Sequence, residues 1–472
     1  MKVMLLRYHD KPFNTFIPAG IDKYFAQKIP PLGIAYVAAN LKKHGYEVFI
    51  LDCIALELNA QETREFILNK KPDIVGITTM TVAFQGALEA AKIAKGCGCR
   101  VVLGGPHLSI FPKETMHHDC VDYAIYGDGE SSMLELVNAI ERGGRLESIK
   151  GLIFRKDADV CINPPDIIYD LDSLPLPERD LLPNDRYALI GAASPFATMM
   201  TMRGCPFDCG YCGNRSDPMR MVRYRKVDKV LDEMQLLVDK YKVKEINFVV
   251  ETLTLKRDFM AQMCNGIIER KIKVRWQGPT RVDCVDADLL RLMAKAGCTQ
   301  LRFGIESGNQ DILDMMNKKT NLGMIEKAIS ATRKAKIKTV GYFILGYVFE
   351  TPDTMRKTID FAKKLKLDTA VFYAGVPYFK TKFYESALGC GLVDPDYWPQ
   401  WVLGKRTDPL PYMIDDADKW VKAAFREFYY RPDYILRHLL NIRSFKELSD
   451  GFNAAKSLLA LKVRHAVKEK EQ

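Results

Sequence analysis

Short apolar runs alternate with amphipathic stretches through residues 1–140. The runs at 3–6, 48–52, 74–77 and 101–103 are typical of strands, and the stretches at 31–41, 60–69 and 83–94 have apolar residues at helical spacing. Strands that alternate with helices in this way indicate βαβ units and a parallel sheet. Residues 1–145 are therefore predicted to form a Rossmann-like (flavodoxin-like) α/β domain, with its ligand at the carboxyl ends of the strands.

The same alternation restarts at residue 196 and continues to residue 390. Strands are predicted at 197–202, 246–250, 274–277, 300–306, 339–345 and 368–373, and helices at 227–240, 257–270, 287–296, 324–335 and 353–365. Six such βα units predict a partial (β/α)6 barrel. Because loops at the carboxyl ends of the strands carry the chemistry in full barrels, we expect catalytic residues there.

A proline-rich stretch separates the two halves. Residues 146–195 contain Asn163-Pro164-Pro165 and Leu182-Pro183. Since Pro lacks a backbone donor, this segment is predicted to be an extended linker rather than sheet.

Residues 391–472 have a different, helical character. Helices are predicted at 420–430, 434–440 and 454–463, and Trp398 and Trp401 are predicted to flank a short loop. The region could cap the barrel mouth, or it could be a packing appendage. Its end is basic, in a chain of net charge +10, which indicates either contact with nucleic acid or an anionic membrane, or a solvated helix face.

The composition narrows the class of protein. The chain has 472 residues, of which 47% are hydrophobic and 27% charged, as in soluble globular proteins of several domains. No apolar run reaches the ~18 residues of a transmembrane helix, and the N-terminal apolar run is too short for a signal peptide. Twelve cysteines are scattered along the chain and only three are closely grouped, which favours a reducing compartment. We therefore expect a cytoplasmic protein.

Three cysteines in one short loop give the strongest chemical signal. Cys205, Cys209 and Cys212 have the spacing C-x3-C-x2-C, and Pro206 and Gly210 keep the backbone between them out of a helix. Iron–sulfur clusters are held by Cys thiolates and a cubane normally takes four, so three ligands would leave one iron free. A zinc site would need a fourth ligand at matching spacing, which the sequence lacks.

This loop resembles the signature of the radical S-adenosylmethionine (SAM) enzymes, which carry an aromatic residue before the third cysteine, here Tyr211. The resemblance implies that the three cysteines bind a [4Fe-4S] cluster and that SAM chelates its free iron. One electron would then cleave SAM to a 5′-deoxyadenosyl radical, which abstracts hydrogen from an unactivated carbon. A one-electron reductant such as flavodoxin or ferredoxin is the expected partner, and the protein positions the cofactor and excludes water.

Other residues at the predicted strand ends match the same family. The run Gly304-Ile305-Glu306-Ser307-Gly308 is a strong match, and 341–346 resembles the strand that packs adenine. The resemblance implies SAM contacts from Tyr211, Glu251, Arg281, Glu306, Ser307 and Gly346. An Arg can clamp a carboxylate, here that of SAM, through two hydrogen bonds. Val348-Phe349 and the segment 378–381 depart from the family pattern and would reshape the substrate side.

The first half carries a second set of motifs. Together with the cysteine loop, P-L-G at 31–33, G-G-P-H at 104–107 and G-D-G-E at 127–130 resemble the cobalamin-binding radical SAM enzymes. The resemblance implies cobalamin contacts from Thr78, Thr79, Gly104, Gly105, His107, Gly127, Gly129 and Glu130. No histidine lies in a D-x-H-x-x-G context, so none is expected to ligate cobalt through that motif.

The resemblance implies three functional hypotheses. The first is C-methylation of an unactivated carbon with cluster, SAM and cobalamin. The second keeps these cofactors for a radical cyclisation or oxidation, as in the anaerobic magnesium-protoporphyrin ester cyclase. The third is a non-enzymatic iron–sulfur or cobalamin-binding regulator, which would need a nucleic-acid module, and the sequence contains none.

The aromatic C-terminal region and the altered rim would suit a small-molecule substrate that is large and hydrophobic, such as a lipid or tetrapyrrole, with peripheral membrane contact. Under this hypothesis, replacing Trp398 and Trp401 by Ala would impair turnover and spare SAM cleavage.

Overall fold

The structure is a computed structural model, and it describes residues 1–9, 28–157, 159–189, 192–213, 220–407 and 411–441. Within these residues the chain forms two large sheets and a two-stranded ribbon. The α/β fold predicted from the sequence is confirmed.

The first sheet has seven strands in the order β2-β1-β3-β4-β5-β6-β7. They are β1 (Lys2–Arg7), β2 (Glu47–Asp52), β3 (Ile74–Thr78), β4 (Arg100–Gly104), β5 (Tyr123–Ile125), β6 (Leu152–Lys156) and β7 (Asp159–Ile162). The helices are α1 (Leu32–Lys43), α2 (Cys53–Leu56), α3 (Ala60–Lys70), α4 (Phe84–Gly96), α5 (Pro112–Met116) and α6 (Gly129–Arg142). The first five strands are parallel. Four of them, β1 to β4, are the strands that the βαβ pattern predicts, and β5 was not predicted.

The linker was predicted to begin at residue 146, but part of that segment is sheet. Residues 152–162 form β6 and β7, which extend the sheet beyond β5 in antiparallel pairing. The reason is the apolar run Leu152-Ile153-Phe154, whose three side chains are buried, because burying them against the sheet outweighs the cost of ordering this segment. The proline-rich stretch that follows contains no strand in its described part, 163–189, as predicted.

The second sheet has six parallel strands in the order β15-β14-β13-β12-β11-β8. They are β8 (Phe196–Met199), β11 (Glu245–Phe248), β12 (Arg275–Thr280), β13 (Cys298–Glu306), β14 (Lys338–Leu345) and β15 (Thr369–Ala374). In the described part of the chain β8 and β15 do not pair, so the barrel is partial. A separate antiparallel ribbon joins β9 (Met202–Arg203) to β10 (Arg223–Tyr224); the strand predicted at 197–202 therefore divides after Met199.

Helices cover one face of the six-stranded sheet. They are α7 (Val227–Asp239), α8 (Arg257–Glu269), α9 (Ala287–Lys295), α10 (Gln310–Met315), α11 (Leu322–Lys334) and α12 (Pro352–Lys364). Leu301, Phe303 and Ile305 of β13 belong to the apolar core on this side. Because side chains alternate along a strand, Arg302 and Gly304 face the concave interior of the barrel.

The described C-terminal part is helical, with α13 (Lys382–Gly389), α14 (Tyr397–Val402), α15 (Ala417–Tyr429) and α16 (Pro432–Asn441). Trp398 and Trp401 lie within α14 rather than beside a loop, so that prediction is wrong. Both are buried, and they share an apolar cluster with Leu103 and Phe111 of the first half. This supports the packing interpretation for α14, because the two indoles fill a core between the halves.

The predicted helix 454–463 and the basic end lie outside the described residues. None of the helices in the described part of the chain has the length and apolar character needed to cross a membrane.

Candidate active site

The cysteine loop is framed by the ribbon β9–β10 and held by the barrel. Gly204, at φ +91, leads into it, and a Cβ there would lie 2.2 Å from the Met221 carbonyl oxygen, so only glycine fits. The Gly210 amide donates to the Met316 carbonyl at 2.7 Å, and the Gly210 carbonyl accepts from the Phe383 amide at 2.9 Å. Two backbone hydrogen bonds at Gly210 therefore tie the loop to the barrel.

Three thiols on this loop fit the donor set of an iron–sulfur cluster, since thiolates are its ligands. Cys209 is buried, and Cys205 and Cys212 are partly buried. Burial raises the pKa of the Cys205 thiol, so thiolate formation needs a nearby positive charge or metal. Among the described residues, no three His, Cys, Asp or Glu side chains stand close enough to bind one metal ion together, whereas each cysteine of a cluster would bind a different iron.

Arg281 supplies a positive charge beside the loop. Its Nη1 lies 3.6 Å from the Cys209 Sγ, and its guanidinium stacks over the Phe207 ring at 3.7 Å. The same group binds the Asp283 carboxylate and donates to the Lys318 carbonyl at 2.7 Å. Arg281 is thus committed to the cysteine loop, and the structure does not present it as a clamp for a SAM carboxylate.

A buried triad lies next to the third cysteine. The Tyr211 hydroxyl donates to Glu306 Oε1 at 2.7 Å, and Lys318 Nζ lies 2.9 Å from that oxygen and 2.8 Å from the hydroxyl. Burial, reinforced by the Glu306 charge, raises the pKa of Tyr211 well above its ordinary value, so Tyr211 stays protonated. Gly304 makes room for the triad, because a Cβ there would lie 2.3 Å from Glu306 Oε1 and 2.9 Å from Lys318 Nζ.

Sequence reasoning missed Lys318. It lies in N-K-K, 12 positions after Glu306, and nothing in that run distinguishes a buried lysine from a solvated one. Only the fold shows that Lys318 is 5% exposed and paired with Glu306.

The triad borders a cavity of about 410 Å³ in the concave side of the barrel. Half of its lining residues are aromatic, namely Tyr211, Tyr342, Tyr373, Tyr378 and Phe383, and Glu306 lines it as well. Two of the six predicted SAM contacts, Tyr211 and Glu306, therefore border this cavity, which we call the barrel cavity.

The other predicted SAM residues lie elsewhere. Ser307 is fully buried and bonds Thr358 Oγ1 at 3.1 Å, so it supports the backbone. Glu251 lines a different cavity, described below. Gly346 does not line the barrel cavity, and its amide donates to Glu350 Oε2 at 2.7 Å.

A second cavity, of about 460 Å³, lies between the first sheet and the barrel. Six of the eight predicted cobalamin contacts line it, namely Thr78, Gly104, Gly105, Gly127, Gly129 and Glu130. From the barrel side it is lined by Met200, Met202, Arg203, Val249 and Glu251. The small residues at the strand ends let a flat ligand approach the backbone, so the lining of this sheet-edge cavity fits the cobalamin predicted there.

Thr79 and His107 do not line the sheet-edge cavity. His107 is fully buried, stacks on Phe84 with ring centroids 4.0 Å apart, and lies with Nδ1 3.2 Å from Thr81 Oγ1. Burial lowers the pKa of His107 to about 3, so the ring is neutral. The short 3-10 turn after Gly105 points His107 into the core, and its predicted role as a polar contact to cobalamin does not fit this position.

A charge network, which we call the loop anchor, joins G-D-G-E to the base of the cysteine loop. Arg203 Nη1 donates to Asp128 Oδ1 at 2.7 Å, and its Nη2 donates to Glu130 Oε1 at 2.5 Å. Arg223, the register partner of Arg203 in the ribbon, donates to the other Asp128 oxygen. Asp128 also accepts from the Ile168 amide at 2.8 Å. Both ends of the loop are therefore bound to the wall of the sheet-edge cavity.

The buried carboxyl group of Glu350 should make the stability of the protein depend on pH. Its Oε2 accepts from the amides of Gly346 and Tyr347, while Oε1 is buried without a partner in the described residues, and burial raises the pKa to about 7. The pKa of a Glu carboxyl in the unfolded chain is ~4.3, so the folded state binds the proton of Glu350 more tightly than the unfolded state does. Glu350 therefore contributes its full share of folding stability below pH ~4.3, and this contribution is lost as the pH rises toward about 7.

We predict that Glu350→Gln, which mimics the protonated carboxyl, reduces the fall in urea midpoint between pH 5 and pH ~7.5. Glu427→Gln is the control, since its ion pairs with Arg356 and Lys363 hold the pKa of Glu427 below its ordinary value despite the opposing effect of burial. An unchanged pH profile for Glu350→Gln would contradict the prediction.

Known proteins share both halves of this arrangement. Residues 199–362 match the radical SAM superfamily model, and residues 20–137 match the B12 binding domain model. An uncharacterized methyltransferase of Pyrococcus horikoshii is 32% identical over 424 residues, which cover 88% of this chain and 91% of the relative. The anaerobic magnesium-protoporphyrin IX monomethyl ester cyclase of Rubrivivax gelatinosus is 32% identical over 368 residues, covering 75% of this chain and 66% of the cyclase.

Solved structures share the fold. The radical SAM methyltransferase TsrM from Kitasatospora setae, with cobalamin and [4Fe-4S] cluster bound, superposes with a TM-score of 0.67 at 19% identity, over 84% of this chain and 76% of TsrM. The cobalamin-dependent radical enzyme OxsB gives 0.72 at 15% identity, over 97% of this chain and 72% of OxsB. With these matches, the chain belongs to the family of radical SAM enzymes that carry a B12-binding domain, whose cofactors are a [4Fe-4S] cluster, SAM and cobalamin.

Proposed function

We propose that this enzyme methylates a carbon of a small organic substrate. The observation that carries the proposal is that the cysteine loop borders the barrel cavity while β9, the strand that leads into the loop, borders the sheet-edge cavity. Tyr211, within the loop, lines the barrel cavity, and Arg203, at its base, lines the sheet-edge cavity. Cys205, Cys209 and Cys212 would thus hold the source of the radical between the barrel cavity and the cavity that would hold the methyl donor. The similarity to the Pyrococcus methyltransferase supports the same conclusion.

Within this proposal the chain's residues bind and orient. When bound, the cluster with SAM supplies a carbon-centred radical and cobalamin supplies the methyl group. The three cysteines would hold the cluster, and Arg281 would stabilise the Cys209 thiolate. Glu306 and Lys318 would pair with the amino and carboxylate groups of SAM, because they are the carboxylate and the ammonium beside the barrel cavity. The glycines at 104, 105, 127 and 129 would admit the corrin.

The partners follow from the same chemistry. A one-electron reductant, flavodoxin or ferredoxin in kind, would supply the electron, and a reducing cytoplasm would protect the cluster. The aromatic lining of the barrel cavity favours a substrate with a sizeable apolar part. If that substrate is a membrane lipid, the enzyme should pellet with anionic liposomes at low salt. Failure to pellet would rule out the hypothesis of peripheral membrane contact.

Product analysis tests the function directly. The protein would be reconstituted anaerobically with iron, sulfide and hydroxocobalamin, then given reductant, SAM and a cell extract, and the products followed by mass spectrometry. S-adenosylhomocysteine together with 5′-deoxyadenosine and a substrate heavier by one methyl group is the expected result. With cobalamin bound, 5′-deoxyadenosine alone would favour cyclisation or oxidation.

Iron content tests the cluster. Changing Cys205, Cys209 and Cys212 together to Ala should remove about four irons per chain, because a cubane loses its protein ligands, and should abolish 5′-deoxyadenosine formation. The control is Cys390→Ala, since that cysteine is exposed and remote in sequence from the loop. Retention of the iron in the triple variant would refute the assignment.

A further inference from the structure

Several contacts fix the guanidinium group of Arg281 beside the cysteine loop. Its Nε and Nη2 bind the two carboxylate oxygens of Asp283 at 2.9 and 2.8 Å, and Nη2 also donates to the Lys318 carbonyl at 2.7 Å. The Phe207 ring stacks on the group at 3.7 Å. Because these partners take up Nε, Nη2 and one face, the group is held in an orientation that directs Nη1 at the Cys209 Sγ, 3.6 Å away.

The positive charge of Arg281 acts on this sulfur with little screening by water. The Arg281 side chain is 6% exposed and Cys209 is 7% exposed. The counter-ion, Asp283, binds the edge formed by Nε and Nη2, whereas the sulfur lies beside Nη1. The carboxylate and the sulfur thus occupy different sides of the guanidinium group, and the sulfur experiences the positive charge more strongly than the negative one.

This arrangement bears on the electron that starts the reaction. The reduction potential of an iron–sulfur cluster depends on its net charge, on its solvent exposure and on hydrogen bonds to its sulfur atoms. Reduction adds one negative charge to the cluster and its thiolates, and a nearby cationic N–H donor stabilises the more negative state. Arg281 should therefore make the cluster easier to reduce.

We propose that Arg281 raises the reduction potential of the cluster through the contact of its Nη1 with the Cys209 sulfur. In this step a reductant of the flavodoxin or ferredoxin kind gives up one electron and the cluster takes up that electron. The role replaces the clamp of the SAM carboxylate that the sequence analysis expects of Arg281. It rests on the assignment of the cluster to the three cysteines, but not on methylation.

Asp283 provides a second prediction, of opposite sign. Its carboxylate partly cancels the positive charge of Arg281. Asp283→Asn keeps an acceptor for the guanidinium group but removes the negative charge, so it should raise the potential. Arg281→Gln removes the positive charge and should lower the potential. General damage to the loop gives no reason for shifts in opposite directions.

Potentiometric titration followed by electron paramagnetic resonance tests the proposal. The protein, reconstituted with iron, sulfide and hydroxocobalamin but without SAM, would be poised with redox mediators, and the signal of the reduced cluster would be read separately from that of cob(II)alamin. We expect Arg281→Gln to lower the equilibrium constant for reduction about tenfold or more, and tenfold is a fall of about 59 mV for one electron. Arg281→Lys, which keeps the charge but loses the planar fork, should lower the potential less.

Arg220→Gln is the matched control. Arg220 also contacts the loop, at the carbonyls of Pro206 and Phe207, but its side chain is 33% exposed. Since water and salt screen an exposed charge, this variant should keep a potential close to that of the wild type. If Arg281→Gln does not retain iron, Arg281→Lys and Asp283→Asn decide the matter by the signs of their shifts.

Three results would overturn the proposal. The first is an unchanged potential in iron-loaded Arg281→Gln, and the second is a shift of the same sign in Arg281→Gln and Asp283→Asn. The third is weaker SAM binding by Arg281→Gln with an unmoved potential, which the carboxylate clamp predicts. Iron determination on the same samples separates this proposal from the cluster assignment, because wild type without a cluster would refute the assignment itself. A full cluster whose potential ignores Arg281 would refute only the role of that residue.

Discussion

Replacing Asp128 by Asn is expected to loosen the cysteine loop from the sheet-edge cavity. Asp128 is 6% exposed and accepts from both Arg203 and Arg223. The loop anchor is balanced, with two arginines facing Asp128 and Glu130, so the variant leaves one positive charge uncompensated. Breaking a buried ion pair costs about 3–5 kcal/mol, and we expect a loss of about 3 kcal/mol in the free energy of unfolding.

The loop anchor should also position the two cofactors relative to each other. In wild type, pulsed electron paramagnetic resonance between cob(II)alamin and the reduced cluster should give one narrow distance. In Asp128→Asn the distribution should broaden even in samples with full cobalamin and iron content, which a general loss of stability would not produce. Asp180→Asn is the control, since its pair with Lys240 is half exposed and worth ~1 kcal/mol or less. A narrow, unshifted distance in the Asp128 variant would contradict the positioning role.

Replacing Trp398 by Ala is expected to destabilise the whole chain. Trp398 is fully buried, its Nε1 donates to the Pro377 carbonyl at 2.9 Å, and its ring packs against Trp401. Truncating a buried Trp costs about 3–5 kcal/mol. The helix α14 also contacts the first half directly, through Gln85 Nε2 to the Trp401 carbonyl at 2.9 Å. The empty space that the truncated Trp398 side chain leaves would therefore weaken the junction between the two halves.

This outcome differs from the expectation that the Trp pair shapes the substrate pocket. A pocket residue would lower turnover and spare uncoupled SAM cleavage, whereas a buried packing residue should lower both together with the urea midpoint. Tyr169→Ala serves as the control, because that ring is 66% exposed. A normal midpoint with selective loss of turnover in Trp398→Ala would restore the pocket interpretation.

The alternation of apolar and polar positions identified β1 to β4 of the first sheet and all six strands of the second, because parallel strands covered by helices leave a strong pattern, but it did not identify the three-residue strand β5. The strand predicted at 300–306, for example, is β13 (Cys298–Glu306). The spacing of the three cysteines was likewise enough to identify the loop, because all three thiols lie within eight consecutive residues. The hairpin β6–β7 was missed because the prolines that follow it dominated the local pattern, while its own apolar run is only three residues long.

Side-chain direction at the site could not be predicted. Glu251 and Glu306 both lie at the carboxyl edge of the barrel, yet Glu251 lines the sheet-edge cavity and Glu306 the barrel cavity. His107 lies two residues after Gly105, whose φ is +115, and the chain direction set there helps to direct the ring into the core. Arg203 lies two positions before the first cysteine of the signature, but its partners are 73 to 75 positions away in sequence, so only the packed fold reveals its role.

The hairpin β6–β7 has a practical consequence for dissecting this enzyme. A chain cut after residue 145 would leave β5 as an exposed edge, with unpaired backbone groups that could recruit another molecule and cause aggregation. It would also uncover the face against which Leu152, Ile153 and Phe154 are buried. A separately expressed first half should therefore extend past Ile162, so that the sheet ends in the short, partly exposed β7.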